Sequence, residues 1–514
     1  MRLPFLNENA TRKKTQGSFA GINQSVVIAE NEFADMKNMS SELYPAIGPR
    51  EPRGDQLAKM TKANGLHHNN ALAWVDGTSF YYDGNVVGAV EDSEKQMVSM
   101  GAYIVILPDK KVYNTHTNEW SDMEKTWTQT EEATFAPTVS ASTFIKVSCP
   151  GIGANFSKGD GVTISGCSNE NFNKTAVIQS LEADAIVIIG DLEEEFTQAG
   201  GLTLKRTVPD MDFVTESENR IWGCNSEKHE VYASKLGDPM NWNCFEGIST
   251  DSYAATVGSE GDFTGAVTHL GYVLFFKEQM IHKVYGNKPS NIQITSYPGR
   301  GVKKGCEKSL CVINETLYYA SQEGICAYDG SMPYLISQNI KRDYTTAVAN
   351  QEKSCYYVSL LSEDWEVYVF DTKQQLWHKE DKSQFKATCY GNGKMYYVDS
   401  ENVLRRVRDS ENGTENVFWY LESGDQEEGS LDKKKLHKLQ FLMDLEKGSM
   451  VELYLKYDNE PMWERVRTFT APQKQSFQLH LRPRRCTQYR WKLSGYGDMN
   501  LIGMVKEYEV GTGR

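Results

Sequence analysis

A tyrosine pair closing a short apolar run returns along this chain at nearly constant spacing, and that period restricts the possible fold more than any other feature. It occurs as Leu317-Tyr318-Tyr319, Cys355-Tyr356-Tyr357 and Met395-Tyr396-Tyr397, spaced by 38 and 40 residues, with Val273-Leu274-Phe275-Phe276 ending 43 residues before Tyr319. Phe80-Tyr81-Tyr82 reads as a further copy. About 40 residues is what four strands of five or six residues and their turns occupy, which is one propeller blade.

A second marker has the same implication. Val112-Tyr113-Asn114-Thr115 is followed by Trp120, and Val369-Phe370-Asp371-Thr372 by Trp377, with six residues from Asn or Asp to Trp in both. This reads as strand, polar turn, strand: the Asn or Asp side chain bonds its own backbone to make the turn, and the Trp packs back over the strand just left. Val231-Tyr232-Ala233-Ser234 leads to Trp242 through Gly237-Asp238-Pro239 as a looser copy, and the pattern has the look of kelch-type blades. Asp76-Gly77, Asp83-Gly84, Asp329-Gly330 and Asn392-Gly393 supply hairpin dipeptides between alternating strands. Helix signals are sparse, and aromatics at 11% with 27 Tyr suit half-buried strands.

The expected fold is therefore all-β: a β-propeller of about seven kelch-like blades with an inserted small β-domain and a C-terminal β-sandwich. Residues 127–207 break the period and read as the insertion, ending near the acidic run Glu193 to Glu195. The expected order is an extended N-terminal arm (1–65), first blades (66–126), the insertion (127–207), remaining blades (208–410), a polar linker (411–435) and a sandwich (436–514). The arm, rich in Gly, Pro and Asn with isolated apolar anchors, is expected to pack on neighbouring molecules rather than form its own core.

No defensible catalytic constellation emerges, so an enzyme is not expected. Gly299-Arg300-Gly301 with Gly305 lacks the spacing of a phosphate cradle. His67-His68 is the only histidine pair, and neighbours on an extended chain point to opposite sides, so neither a metal site nor a cofactor site is expected. Acidic residues abound, but the repeated boxes of sialidase-type blades are missing. The ten cysteines contain no C-x-x-C pair, which indicates reduced, buried thiols. Neither a signal peptide nor a membrane span is expected. A net charge of −14 disfavours tight nucleic-acid binding, yet would let DNA slide past. Two basic clusters stand out, Arg12-Lys13-Lys14 and Arg482-Pro483-Arg484-Arg485, either as solvated surface or as docking sites for an acidic neighbour.

The N-terminal wording is more specific. Phe19-Ala20-Gly21-Ile22-Asn23-Gln24 is followed by Glu32-Phe33-Ala34-Asp35-Met36-Lys37-Asn38-Met39 and by Tyr44-Pro45-Ala46-Ile47-Gly48-Pro49-Arg50-Glu51-Pro52-Arg53-Gly54. This resembles the start of tail nozzle proteins, or tail tubular protein B, of short-tailed bacteriophages. The segments Asn219-Arg220-Ile221-Trp222, Ser234-Lys235-Leu236-Gly237-Asp238-Pro239, Phe276-Lys277-Glu278 and Tyr285-Gly286-Asn287-Lys288-Pro289-Ser290 look like the same set. The resemblance implies a structural virion protein, assembled in the host cytoplasm, that forms a six-fold ring below the portal and head-tail adaptor. The genome would leave through its lumen as passing cargo. Phe19, Asn23, Gln24, Phe33, Tyr44, Arg50, Arg53, Arg482, Arg484 and Arg485 are the candidate subunit contacts. A sandwich at the C-terminus departs from the usual nozzle and leaves other tail positions open. The competing expectation is a receptor-binding propeller at the tail tip, gripping host glycan or protein through exposed Trp and Tyr loops.

Overall fold

The computed structural model describes residues 11–139, 143–340, 343–409, 411, 413–470, 475–482 and 484–511. Among them the repeat resolves into seven four-stranded antiparallel sheets, spanning 63–89, 96–122, 213–256, 265–298, 311–335, 346–379 and 387–406. We number these blades 1 to 7. Their first strands, beginning with Ala63–Asn69 and ending with Ala387–Gly391, line the axis of the ring, and the first strand of blade 7 packs on that of blade 1. No α-helix occurs among the described residues.

The tyrosine pair now has a physical reason. Phe275-Phe276, Tyr356-Tyr357 and Tyr396-Tyr397 lie on the second strands of blades 4, 6 and 7. Successive side chains point to opposite faces of a strand, so each pair fills two different inter-blade cores. Tyr356 and Tyr357, for instance, belong to separate clusters. Phe80-Tyr81-Tyr82 departs from this rule: it lies on the third strand of blade 1, where Tyr81 stacks on Trp74 with ring centres 5.2 Å apart.

The second marker joins strands three and four of blades 2 and 6, where Tyr113 faces Trp120 and Phe370 faces Trp377. The Asn114 carboxamide oxygen accepts from the amide of His116 at 3.0 Å, and the Asp371 carboxylate from that of Lys373 at 2.9 Å. Trp242 differs. The fourth strand of blade 3 is Tyr253–Thr256, and Trp242 sits instead in the long loop 234–252 that precedes it.

The insertion leaves the ring between blades 2 and 3 and forms two small sheets, of four and five strands, between Lys125 and Arg206. Its core is filled by Phe135, Ile145, Val162, Phe172, Ile186 and Leu204. The C-terminal sandwich packs one five-stranded sheet on another around Trp419, Phe441 and Trp491. Alternation in Met450–Tyr457 (MVELYLKY) sends Val451, Leu453, Leu455 and Tyr457 inward.

Three boundaries differ from the sequence expectation. The N-terminal segment is not an arm for neighbours: Arg12–Gln16 and Phe33–Lys37 are edge strands of the chain's own two sandwich sheets. Ala58–Lys59 pairs with Val403–Arg406 as the fourth strand of blade 7 and closes the ring. The expected linker contains Phe418–Ser423, a strand paired between Phe33–Lys37 and Tyr489–Tyr496. The cause is shared: isolated apolar anchors need a core, and the chain's own sandwich and blades supply one for Phe19, Ile22, Phe33, Met36 and Met39.

Candidate functional site

The segment between the sandwich edge and the closing strand is threaded through the molecule by backbone bonds. Ile22 donates its amide to the carbonyl of Trp377 on the outer strand of blade 6 at 2.7 Å, and Gln24 to that of Asn339 at 2.7 Å. Here only glycine fits at position 21, because a Cβ would lie 1.9 Å from the Trp377 carbonyl oxygen.

The R-E-P-R-G wording builds the next joint. Arg50 and Arg53 are 2% and 7% exposed, and both face the outer end of blade 6. Arg50 donates two bonds of 3.0 Å to the two oxygens of Glu415 and one of 3.0 Å to Asp381, while its Nε reaches the Asn38 side chain at 2.9 Å. Arg53 contacts Glu380 at 2.8 Å and Asp381 at 3.1 Å, and donates to the carbonyl of Val407 at 3.0 Å. One ionic node thus fastens together the segment before the closing strand (Arg50, Arg53), blade 6 (Glu380, Asp381), blade 7 (Val407) and the sandwich connection (Glu415).

The two buried acids behave differently. Burial raises both, but the Arg53 and Arg50 guanidiniums outweigh it at Asp381, which is held well below the usual carboxylate range. At Glu380 burial prevails and the carboxyl is raised. His378 beside them is pushed down by burial to about 3 and so is neutral.

A second node lies inside the sandwich. The Lys506 ammonium meets Glu30 and Glu428 at 2.7 Å each and the Gln426 carboxamide oxygen at 2.8 Å. Tyr489 donates to Glu428 at 2.7 Å, so the node joins both ends of the chain to the connection between propeller and sandwich.

The insertion is held just as firmly. Asp160 accepts from Arg206 at 2.8 Å and from Asn241 of the blade 3 loop at 2.9 Å, while the Asn241 oxygen accepts from the amide of Gly161 at 2.9 Å. A Cβ at Gly161 would meet the Asn243 carbonyl at 2.6 Å, so glycine permits this approach.

The ring's own channel ends in a cavity of about 990 Å³ at the face where the inner strands begin, bordered by Lys62, Gln96, Asp212, Glu307, Lys308 and Lys386. Glu94 and Lys308 form an ion pair across it. They stand before the inner strands of blades 2 and 5, three blades apart in a ring of seven, the greatest separation such a ring allows.

The structure therefore divides the sequence candidates. Phe19, Asn23, Phe33, Arg50 and Arg53 are buried within the chain, so they are internal joints and not free subunit contacts. Gln24 is held by its backbone bond to Asn339. Tyr44, Arg482, Arg484 and Arg485 are exposed. The acidic partners of Arg50 and Arg53, namely Glu380, Asp381 and Glu415, went unread, because charged residues 300 or more positions apart carry no pairing signal in one sequence; Glu30 and Glu428, which meet at Lys506, went unread as well. Among the described residues no group of three or more metal-binding side chains occurs, and no helix is long and apolar enough to cross a membrane.

No family model matches the chain, and no curated protein does. Among solved structures it is similar to the computationally designed Ika8 protein, at 10% identity over 69% of this chain and 100% of that one, with a TM-score of 0.36. BamB from Moraxella catarrhalis shares 11% identity over 70% of this chain and 96% of its own, with a TM-score of 0.32. An exo-β-1,3-galactanase from Phanerochaete chrysosporium, solved with galactose, shares 8% over 57% and 94%, with a TM-score of 0.23. Likeness at this level carries no function; the chain's own sheets make it a seven-bladed β-propeller.

Proposed function

We propose that this chain is a non-enzymatic structural subunit of a tailed-bacteriophage virion, working in the tail nozzle or tail channel below the portal and adaptor. The observation that carries the reading is the pair of ionic nodes that fasten propeller, sandwich and N-terminal segment into one block. The residues that resemble nozzle proteins, Phe19 to Gly54, are the ones that run through these joints. A body of this kind suits mechanical load, since force on one domain passes to the others through buried contacts. The propeller's own channel, crossed by Glu94 and Lys308, does not suit a duplex. The genome path would be the bore of a closed ring of copies, expected to be six.

The receptor-binding reading draws less support. It calls for exposed Trp and Tyr loops, yet none of the ten tryptophans is exposed, and exposed aromatics such as Phe245 and Tyr334 are scattered. Mass photometry and negative-stain imaging of the purified protein, alone and with the phage's portal–adaptor complex, test the proposal. A ring of about six copies that caps the adaptor is the expected result. A monomer or trimer that ignores the adaptor and binds host cells would replace this reading with the receptor-binding one.

A further inference from the structure

Two exposed surfaces are complementary in charge, and they sit on opposite sides of the disc. The first is the tip of the inserted domain. Phe144 lies opposite Ile189 in the register of its second sheet, and both are exposed, as is Val139 five positions earlier in the sequence. Immediately after Ile189 come Asp191, Glu193, Glu194 and Glu195, all exposed. None of these four carboxylates has an ion-pair or hydrogen-bond partner among the described residues. An apolar patch rimmed by unpaired charge is what an interface looks like before its partner arrives.

The second surface is the outer face of the sandwich sheet that has Arg12–Gln16 at its edge and Lys434–Leu445 within it. Leu436, Leu439 and Phe441 point inward, so Lys435, just before Leu436, and Lys438, just before Leu439, point out. Register places Lys13, Glu507, Lys438 and His480 in one row across four strands, and Glu509, Lys435 and Arg485 in another. The two rows hold four cations (Lys13, Lys435, Lys438 and Arg485) against two carboxylates, with Lys13 paired to Glu507 at 3.5 Å; Asp444 lies farther along the same face, and the exposed Arg482 follows Leu481 in the chain, whose net charge is −14.

The insertion is docked on the loop of blade 3 and the sandwich on blade 6, three blades away in a ring of seven. We infer that copies of this chain join head to tail, with the acidic, apolar tip of one inserted domain (Phe144, Ile189, Asp191, Glu193 to Glu195) seated on the basic sandwich face of the next copy. Contacts between two different surfaces on opposite sides of a subunit generate a closed ring when the rotation closes. The inference rests on the ring reading above and names the surfaces that would build it.

The test uses two full-length variants. One reverses the tip (Glu193→Lys, Glu194→Lys, Glu195→Lys) and the other reverses the face (Lys435→Glu, Arg482→Glu, Arg485→Glu). Each alone should self-associate at least about 100-fold more weakly than the unaltered chain. An equimolar mixture should regain the assembly, because each reversed tip then meets a reversed face and each native tip a native face. Ile189→Asp is a second route to the same loss with a single change. Thermal melts of the separate variants establish that each is folded, and assembly of the unaltered chain should weaken between about 0.05 and 0.5 M salt. If the unaltered chain forms rings that neither reversal nor salt disturbs, the ring reading stands on another interface and this inference fails. If the unaltered chain stays monomeric with and without the adaptor, both fail.

Discussion

Replacing Arg50 by Met should open the propeller at its seam before it unfolds the protein. The side chain is 2% exposed, and the change removes two bonds to Glu415, one to Asp381 and one to Asn38 while filling much of the same volume. Asp381 and Glu415 are left with Arg53 as their remaining buried cation. Breaking a buried ion pair from one side costs about 3–5 kcal/mol. A global melt would register this poorly: at about 2.1 cal/mol/K per residue, the 514 residues unfold with an entropy near 1.1 kcal/mol/K, so 4 kcal/mol moves Tm by only about 4 °C.

Hydrogen exchange is the sharper assay for this variant. The closing strand Ala58–Lys59 is two residues long, and its surroundings are held to blade 7 by the amides of Gly54, Leu57 and Met60, donating to Arg406, Leu404 and Asn402 at 2.9–3.0 Å. If the node holds this strand, protection of those three amides should fall by about a thousandfold, since each 1.4 kcal/mol is tenfold, while blade 3 keeps its protection. Arg484→Met, at an exposed arginine paired with Glu460 and Glu464, should cost less than about 1 kcal/mol and serves as control. A loss below about tenfold at the three amides, or an equal loss in blade 3, would refute the node as the fastener of the ring.

Gly21→Val should destabilise by about 2–4 kcal/mol in urea titrations, because its Cβ would occupy the place of the Trp377 carbonyl; Gly200→Ala, with open space around it, should change little. Asp160→Ala leaves Arg206 buried without its carboxylate and should free the insertion from blade 3, seen as new protease cleavage within 234–252 at temperatures where the unaltered chain resists. Stability should fall as pH drops from 6.5 towards 4. His282 and His378 are buried and pushed down by burial to about 4 and about 3, so in that window the unfolded chain binds protons that the folded one refuses, on the order of 3–5 kcal/mol each when complete. Glu380, raised by burial, works in the opposite sense, while Asp381 and Glu415, held low by the arginines, add to the loss only below their unfolded values. A urea midpoint that holds steady or rises between pH 7 and 5 would show that these histidines are not neutral partners of the fold.

The propeller was legible in the sequence because its signals are local. A tyrosine pair and an Asx turn each act within one blade, and the period repeats that message, which is why Tyr356-Tyr357 and Asp371 could be placed without knowing any distant contact. Phe80-Tyr81-Tyr82 misled because one strand resembles another; only pairing assigns it to the third. The N-terminal segment was misread for a deeper reason. Its apolar spacing states correctly that Phe19, Ile22, Phe33 and Met36 need a core, but spacing does not say whose core. The linker was lost similarly: Val417-Phe418-Trp419-Tyr420-Leu421 is a clear strand by composition, but it is flanked by Ser, Asn, Gly, Glu and Asp that suggested a tether.

That misreading changes what the resemblance to nozzle proteins can transfer. If the short motif were a subunit contact, sharing it would imply a shared assembly. In this chain Gly21, Arg50 and Arg53 solve an internal problem, closing a propeller with a strand from its N-terminal side while anchoring the same segment in a sandwich built from both ends of the sequence. The steric limit at Trp377 and the need to neutralise Glu380 and Asp381 are set inside this chain, whatever it assembles with. The motif thus speaks to how this chain is held together, and the surfaces that would join one copy to the next are different ones, the acidic tip and the sandwich face that bears Lys435 and Lys438. Charge reversal there and Arg50→Met at the seam therefore ask separate questions. The first should abolish assembly without loosening blade 7, and the second should loosen blade 7 in a monomer as readily as in a ring.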